Sequence, residues 1–264
     1  MKSRFACSLI AMMFALAGGT GLSAAADGAT KGEAHYENWR AAWDGGDIPG
    51  AMGVLKTSCE AGYADGCTMM GFLNQSGLAG EVDEVAAFGA FSRGCVLGDM
   101  NGCDSAGTLL LIGGASVRNY ARARELLRAR CEQGSAVACS DYGLSFHLGL
   151  GVPAEPAKAA FLYGAACEGG LAAACSNLGL LYAEGNGVEV DLQRASELFT
   201  RGCEGGEMAG CSSLGHMLLN GIGGPEDRDE AIRLFQMSCD GGNEHGCNNL
   251  NFALRASGVP GKPH

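Results

Sequence analysis

The sequence predicts an all-α solenoid, a run of stacked helix pairs repeating every 36 residues, on three observations. Twelve of the 13 cysteines fall into six pairs with members eight positions apart, and both members advance by 36 from pair to pair. An alanine column (Ala51, Ala87, Ala123, Ala159, Ala195, Ala231) keeps the same step. So do two glycine columns, one at Gly62, Gly98, Gly134, Gly170, Gly206 and Gly242, the other at Gly71, Gly107, Gly143, Gly179 and Gly215, with Asn251 in the last place. A fixed period of about 20–50 residues marks a repeat architecture, because one unit alone cannot bury its apolar face and must stack on its neighbours.

Each unit reads as two helices. In the copy 175–210, Leu178, Leu181 and Tyr182 have the i, i+3, i+4 spacing of one helix face. Gly185 and Gly187 end that helix and make the turn. Asp191 then suits an N-cap, where its carboxylate accepts from free backbone N–H groups, and the same column holds Asp47, Asp83, Asn119, Glu155 and Asp227. Ala195, Leu198 and Phe199 form the apolar face of the second helix, which Gly205 and Gly206 stop before the next helix opens ahead of Cys211. The alanine column predicts close helix–helix contact, where a larger side chain would clash. The units run 31–66, 67–102, 103–138, 139–174, 175–210 and 211–246, with a partial copy at 247–256 and a disordered tail expected at 257–264, about 6.5 repeats in all.

Ahead of the repeats, residues 1–26 carry Lys2 and Arg4, then the apolar run from Phe5 to Ala17, then small residues at Ser23 to Ala26. This is the layout of a secretory signal peptide, and the run is shorter than the ~20 residues a bilayer span needs. The repeat region is thus expected at 27–256, and Cys7 is expected to leave with the leader. The chain is expected to be exported, periplasmic or secreted, where disulfides persist. At 47% hydrophobic it is too apolar for a disordered chain, and its net charge of −11 argues against a general nucleic-acid binder.

Spacing also predicts the bridges. Eight residues along a straight helix span ~12 Å, whereas a disulfide needs Cα atoms within ~7 Å. A Cys-x7-Cys bridge therefore requires a reversal between its ends, and each pair encloses a glycine turn. The predicted bridges are Cys59–Cys67, Cys95–Cys103, Cys131–Cys139, Cys167–Cys175, Cys203–Cys211 and Cys239–Cys247, each joining one unit's second helix to the next unit's first. Metal is the rival reading, but zinc sites favour cysteines two to four apart, and no such pair occurs. No cofactor and no metal are expected.

Gly179, Leu180, Leu181 and Tyr182, then Gly185, Gly187 and Val188, Asp191 and Ala195, resemble the Sel-1-like repeat, a relative of the tetratricopeptide repeat. The added cysteine pair is similar to the bacterial cysteine-rich members, the Hcp type, also called beta-lactamase-like. The resemblance covers about residues 31–256. It implies an exported right-handed α/α superhelix with one disulfide per repeat, serving as an adaptor for protein complexes. It further implies two alternatives: weak penicillin binding with beta-lactam hydrolysis, and a role in assembling a larger envelope complex. The copy 103–138 departs from the pattern, with Ala115 where the three copies after it carry a second turn glycine. The copy 31–66 lacks the leading cysteine, as a terminal cap would.

Catalytic motifs do not support the hydrolase alternative. A serine beta-lactamase needs Ser-x-x-Lys, and Gly28, Gly53, Glu155 and Val259 stand three before the last four lysines. Lys56-Thr57-Ser58 and Ser140-Asp141-Tyr142 match the associated motifs only in part. His35, His147, His216, His245 and His264 show no shared spacing that would make a metal site. Arg122, Arg124, Arg128 and Arg130 form the one basic cluster, which reads either as a site for an acidic peptide end or as a solvated helix face. The leading expectation is a monomeric scaffold that holds a protein or peptide in a concave groove lined by the first helices. Asn74, Phe146 and Tyr182 are its candidate contact positions, with burial between repeats as their other reading.

Overall fold

The computed structural model describes residues 38–256, and every regular element in that span is a helix. Residues 1–26, expected to be a signal peptide, the start of the first copy and the tail 257–264 lie outside the described residues. Two compact units divide the chain at Arg118/Asn119.

The first unit holds helix α1 over 38–44, then α2 (Ile48–Glu60), α3 (Ala64–Ser76), α4 (Glu84–Val96) and α5 (Met100–Ile112). Trp39, Ala51, Leu55 and Leu73 form a core in its first copy. The second unit holds α6 (Tyr120–Glu132), α7 (Ala136–His147), α8 (Pro156–Glu168), α9 (Ala172–Glu184), α10 (Leu192–Glu204), α11 (Met208–Leu219), α12 (Arg228–Asp240) and α13 (Glu244–Ala256). Within each unit every helix packs on the next, so the core runs along the stack as a series of linked clusters.

All six alanines of the alanine column are completely buried. The glycine column that begins at Gly71 has an equally direct cause. A Cβ on Gly71 would stand 2.5 Å from the Phe91 ring, and on Gly179 and Gly215 it would meet Phe199 at 3.0 Å and Phe235 at 2.8 Å. The first helix thus needs a bare backbone where the aromatic residue of its own second helix lies against it. Asn251 takes this place in α13, the last described helix, with no second helix after it among the described residues.

The caps follow the predicted column with one exception. Asp47, Asp83, Asn119, Asp191 and Asp227 each accept from the backbone N–H three residues on, at 2.9–3.1 Å. Glu155 makes no side-chain cap, although its backbone (φ −131°, ψ 76°) resembles that of its counterparts. Its extra methylene carries the carboxylate past the short loop that Asp and Asn close, and Pro156 starts the helix in its place.

Each cysteine pair spans the reversal between a second helix and the following first helix. The structure joins Cys59 to Cys67, Cys95 to Cys103, Cys131 to Cys139, Cys167 to Cys175, Cys203 to Cys211 and Cys239 to Cys247, with Cα separations of 4.4–4.7 Å. Inside each bridged loop sits a glycine at positive φ, from 86° at Gly242 to 98° at Gly98, a conformation that L side chains adopt only with strain. The turn that carries Ala115, flagged by the sequence as irregular, lies at the end of the first unit. It is held by Gly114 N–H donating to Glu84 Oε2 at 2.6 Å and by Arg118 Nε donating to the Gly113 carbonyl at 2.8 Å.

Candidate functional site

The first helices of the second unit carry a groove. Leu180 and Ala183 of α9, Ala209, Ser212, Ser213, His216 and Met217 of α11, and His245 and Asn249 of α13 line it, together with Leu192 and Phe199 of α10, Ile222 and Asn243. Its volume is about 630 Å3. Helix geometry explains the set: Ala209, Ser213 and His216 lie at i, i+4 and i+7, hence on one face, and His245 and Asn249 are their counterparts one unit on. Leu180 is 40% exposed and stands in the His216 column.

The walls combine apolar carbon with a few polar groups, as binding clefts commonly do. Asn249 Nδ2 donates to Ser212 Oγ at 3.1 Å, tying α13 to α11 across the floor. Asn243 Oδ1 accepts from Gly246 N–H at 2.8 Å, and Glu207 Oε1 accepts from Ala209 N–H at 3.2 Å. Those two groups are thereby set as helix caps at the mouths of α13 and α11. The two imidazoles of His216 and His245 both face the groove and are exposed.

None of the three candidate contact positions lines the groove. Asn74, Phe146 and Tyr182 occupy one column, and their backbone carbonyls accept the N–H of Asp83, Glu155 and Asp191 at 2.9–3.1 Å, fastening each turn between paired helices. Phe146 is buried, with the Lys158 ammonium 4.1 Å above its ring, and the Arg194 guanidinium stacks 4.6 Å from the Tyr182 ring. Burial between elements is therefore the correct reading of Phe146, and Tyr182 packs at the junction of two core clusters.

The basic cluster serves the scaffold. Arg124 Nη1 donates to the Gly151 carbonyl at 2.8 Å, buried Arg130 donates to Gln133 Oε1 at 2.6 Å, and Arg128 stands 3.8 Å from Glu132. Ser140 is buried, Lys56 lies 4.0 Å from Glu60, and Thr57 Oγ1 donates to the Gly53 carbonyl at 2.9 Å, so the partial beta-lactamase motifs occupy ordinary helix positions. His147 Nδ1 lies 3.4 Å from the Tyr163 hydroxyl, whose burial, with Asp141 adding to it, pushes the phenol up to about 12 and keeps it protonated at neutral pH. Among the described residues there is no group of three His, Cys, Asp or Glu placed to hold a metal ion, and no helix is long and apolar enough to cross a membrane. His35 and His264 lie outside them.

Sequence reasoning missed the groove residues. Several of them occupy positions that change from copy to copy (Leu180 against His216, Ala209 against His245, Ser213 against Asn249), and periodicity shows only what repeats.

The Sel1 repeat family model matches residues 106–135, 136–171, 172–207 and 209–243, just over half of the chain, and the middle two matches begin on the first residues of α7 and α9. Two solved structures share the fold, and a third is similar to part of the chain. The c5321 protective antigen of uropathogenic Escherichia coli, which displays an SLR fold, is 23% identical with a TM-score of 0.68 over 88% of this chain and 50% of its own. This chain thus spans half the length of that protein. A Sel1 repeat protein from Oxalobacter formigenes is 24% identical with a TM-score of 0.68, covering 87% of this chain and 92% of its own. Cysteine rich protein B (hcpB) of Helicobacter pylori is 24% identical with a TM-score of 0.41, covering 52% of this chain and 98% of its own. No curated protein matches the chain.

Proposed function

The chain belongs to the Sel1 repeat family, and from that premise we propose that it is an exported scaffold whose first-helix groove in the second unit binds a segment of a partner protein. The observation that carries this reading is the groove itself, about 630 Å3 in volume with walls from three successive first helices. A disulfide-stapled helical repeat suits the task, because its stack presents one face as an extended surface that needs little reorganisation on binding. Export is supported by the six bridges, which persist in oxidising compartments and are rare in the cytosol.

The test is site-specific photo-crosslinking of the full chain in its own compartment. A photoreactive residue at Ser213 or Asn249 is expected to trap one defined partner. The same residue at Phe161, 77% exposed on α8, or at exposed Glu197 on α10 is expected to trap none. Equal trapping at both sets of positions, or none at either, overturns the proposal.

A further inference from the structure

The charge around the groove identifies the chemistry of its occupant. Residues 172–256 carry twelve carboxylates against five arginines and no lysine. Most of those arginines are already engaged within the chain. Arg194 lies over the Tyr182 ring, Arg201 Nη2 donates to the Cys167 carbonyl at 3.0 Å, Arg228 Nη2 donates to the Ala253 carbonyl at 3.1 Å, and Arg233 holds Glu230. None of the five is among the lining residues. Carboxylates, in contrast, adjoin the lining residues in sequence: Glu207 bonds the Ala209 backbone, exposed Glu184 follows Ala183 four residues after Leu180, and exposed Glu244 lies between Asn243 and His245. The groove thus offers apolar walls within a negative field that its own cations do not cancel, the arrangement that attracts a cation and steers its approach.

We propose that the groove takes a cationic, apolar-anchored peptide segment of a partner protein, with a leucine- or phenylalanine-sized side chain against Leu180, Phe199 and Met217 and lysine or arginine side chains, or a free N-terminus, toward Glu184, Glu207 and Glu244. This rests on the groove being a protein-binding site and specifies what it selects.

The probe is a phage-displayed library of random twelve-residue peptides, panned against the oxidised full chain. Peptides retained by a chain in which Ser213→Trp fills the groove are subtracted. Recovered sequences are expected to be enriched in Lys or Arg beside Leu or Phe. A synthetic peptide of that sequence, followed by fluorescence anisotropy, is expected to lose at least tenfold in affinity to S213W. It should lose roughly threefold for each of Glu184→Gln and Glu244→Gln, and weaken as salt is raised. Recovery of acidic or uncharged peptides that S213W still abolishes overturns this inference and leaves the protein-binding groove standing. Recovery of no peptide sensitive to S213W overturns both. Helical circular dichroism of each variant confirms that the fold is kept.

Discussion

Two sets of positions on the same helix pairs behave oppositely. Along the seam, the Ala195 column is alanine in every copy, the Phe199 column is aromatic in all but one of the second helices from α4 to α12, and the bridging cysteines never vary. Along the groove, Ala209 faces the same way as His245, Leu180 the same way as His216, and Ser213 the same way as Asn249. The seam must satisfy one geometry six times over, so its residues are constrained by contact. Leu180, His216 and His245 on the groove are exposed, so contact within the stack does not dictate what stands at those positions. Repetition in a solenoid therefore reports the scaffold, and departure from repetition reports the site.

The strongest way to break that contrast is to remove the seam's covalent part. Each bridge closes a short loop that contributes about 2.5 kcal/mol through chain entropy. Reduction of all six is expected to unfold the protein at 37 °C, read as loss of helical circular dichroism. Retention of the helical signal after complete reduction, confirmed by thiol counting, would show that packing alone suffices.

Glycine substitutions on the seam come next. Gly71→Ala brings a methyl to 2.5 Å from Phe91, while Gly143→Ala brings one to 3.2 Å from Leu162 and Tyr163. Overpacking of this kind costs about 1–3 kcal/mol, so chemical denaturation should rank Gly71→Ala well below Gly143→Ala in stability. Equal midpoints would detach the glycine column from its aromatic neighbour. The caps give a smaller effect of either sign. Asp191→Ala is expected to cost about 1 kcal/mol, and Glu155→Asp to add about 0.5 kcal/mol, because the backbone there already resembles that of a capped start. The smallest effect belongs to the groove: Ser213→Trp or Leu180→Glu should shift stability by no more than about 0.5 kcal/mol, as at other positions away from buried packing. A melting shift as large as that of the glycine variants would place these residues in the seam.

Much of the fold was legible because contact chemistry repeats. The cysteine spacing demanded a reversal, the alanine column demanded close approach, and the turn glycines at 185 and 187 adopt φ of 69° and 77°. Less was legible of the site. Asn74, Phe146 and Tyr182 are candidate contacts by their place on first helices, yet their column fastens the turns through its carbonyls. His216 and His245 share no sequence spacing, and only the stacking of α11 beside α13 brings them to one groove. Glu155 reads as a cap by charge and fails as one by length.

The most direct test of the division between seam and groove is a pair of binding isotherms for the partner trapped at Ser213, measured against Ser213→Trp and Glu197→Trp. Ser213→Trp, which fills the groove, is predicted to weaken binding at least tenfold, and Glu197→Trp, on the outer face of α10, to leave it unchanged. Equal affinities for the two variants, or a loss confined to Glu197→Trp, would contradict the assignment of binding to the first-helix groove.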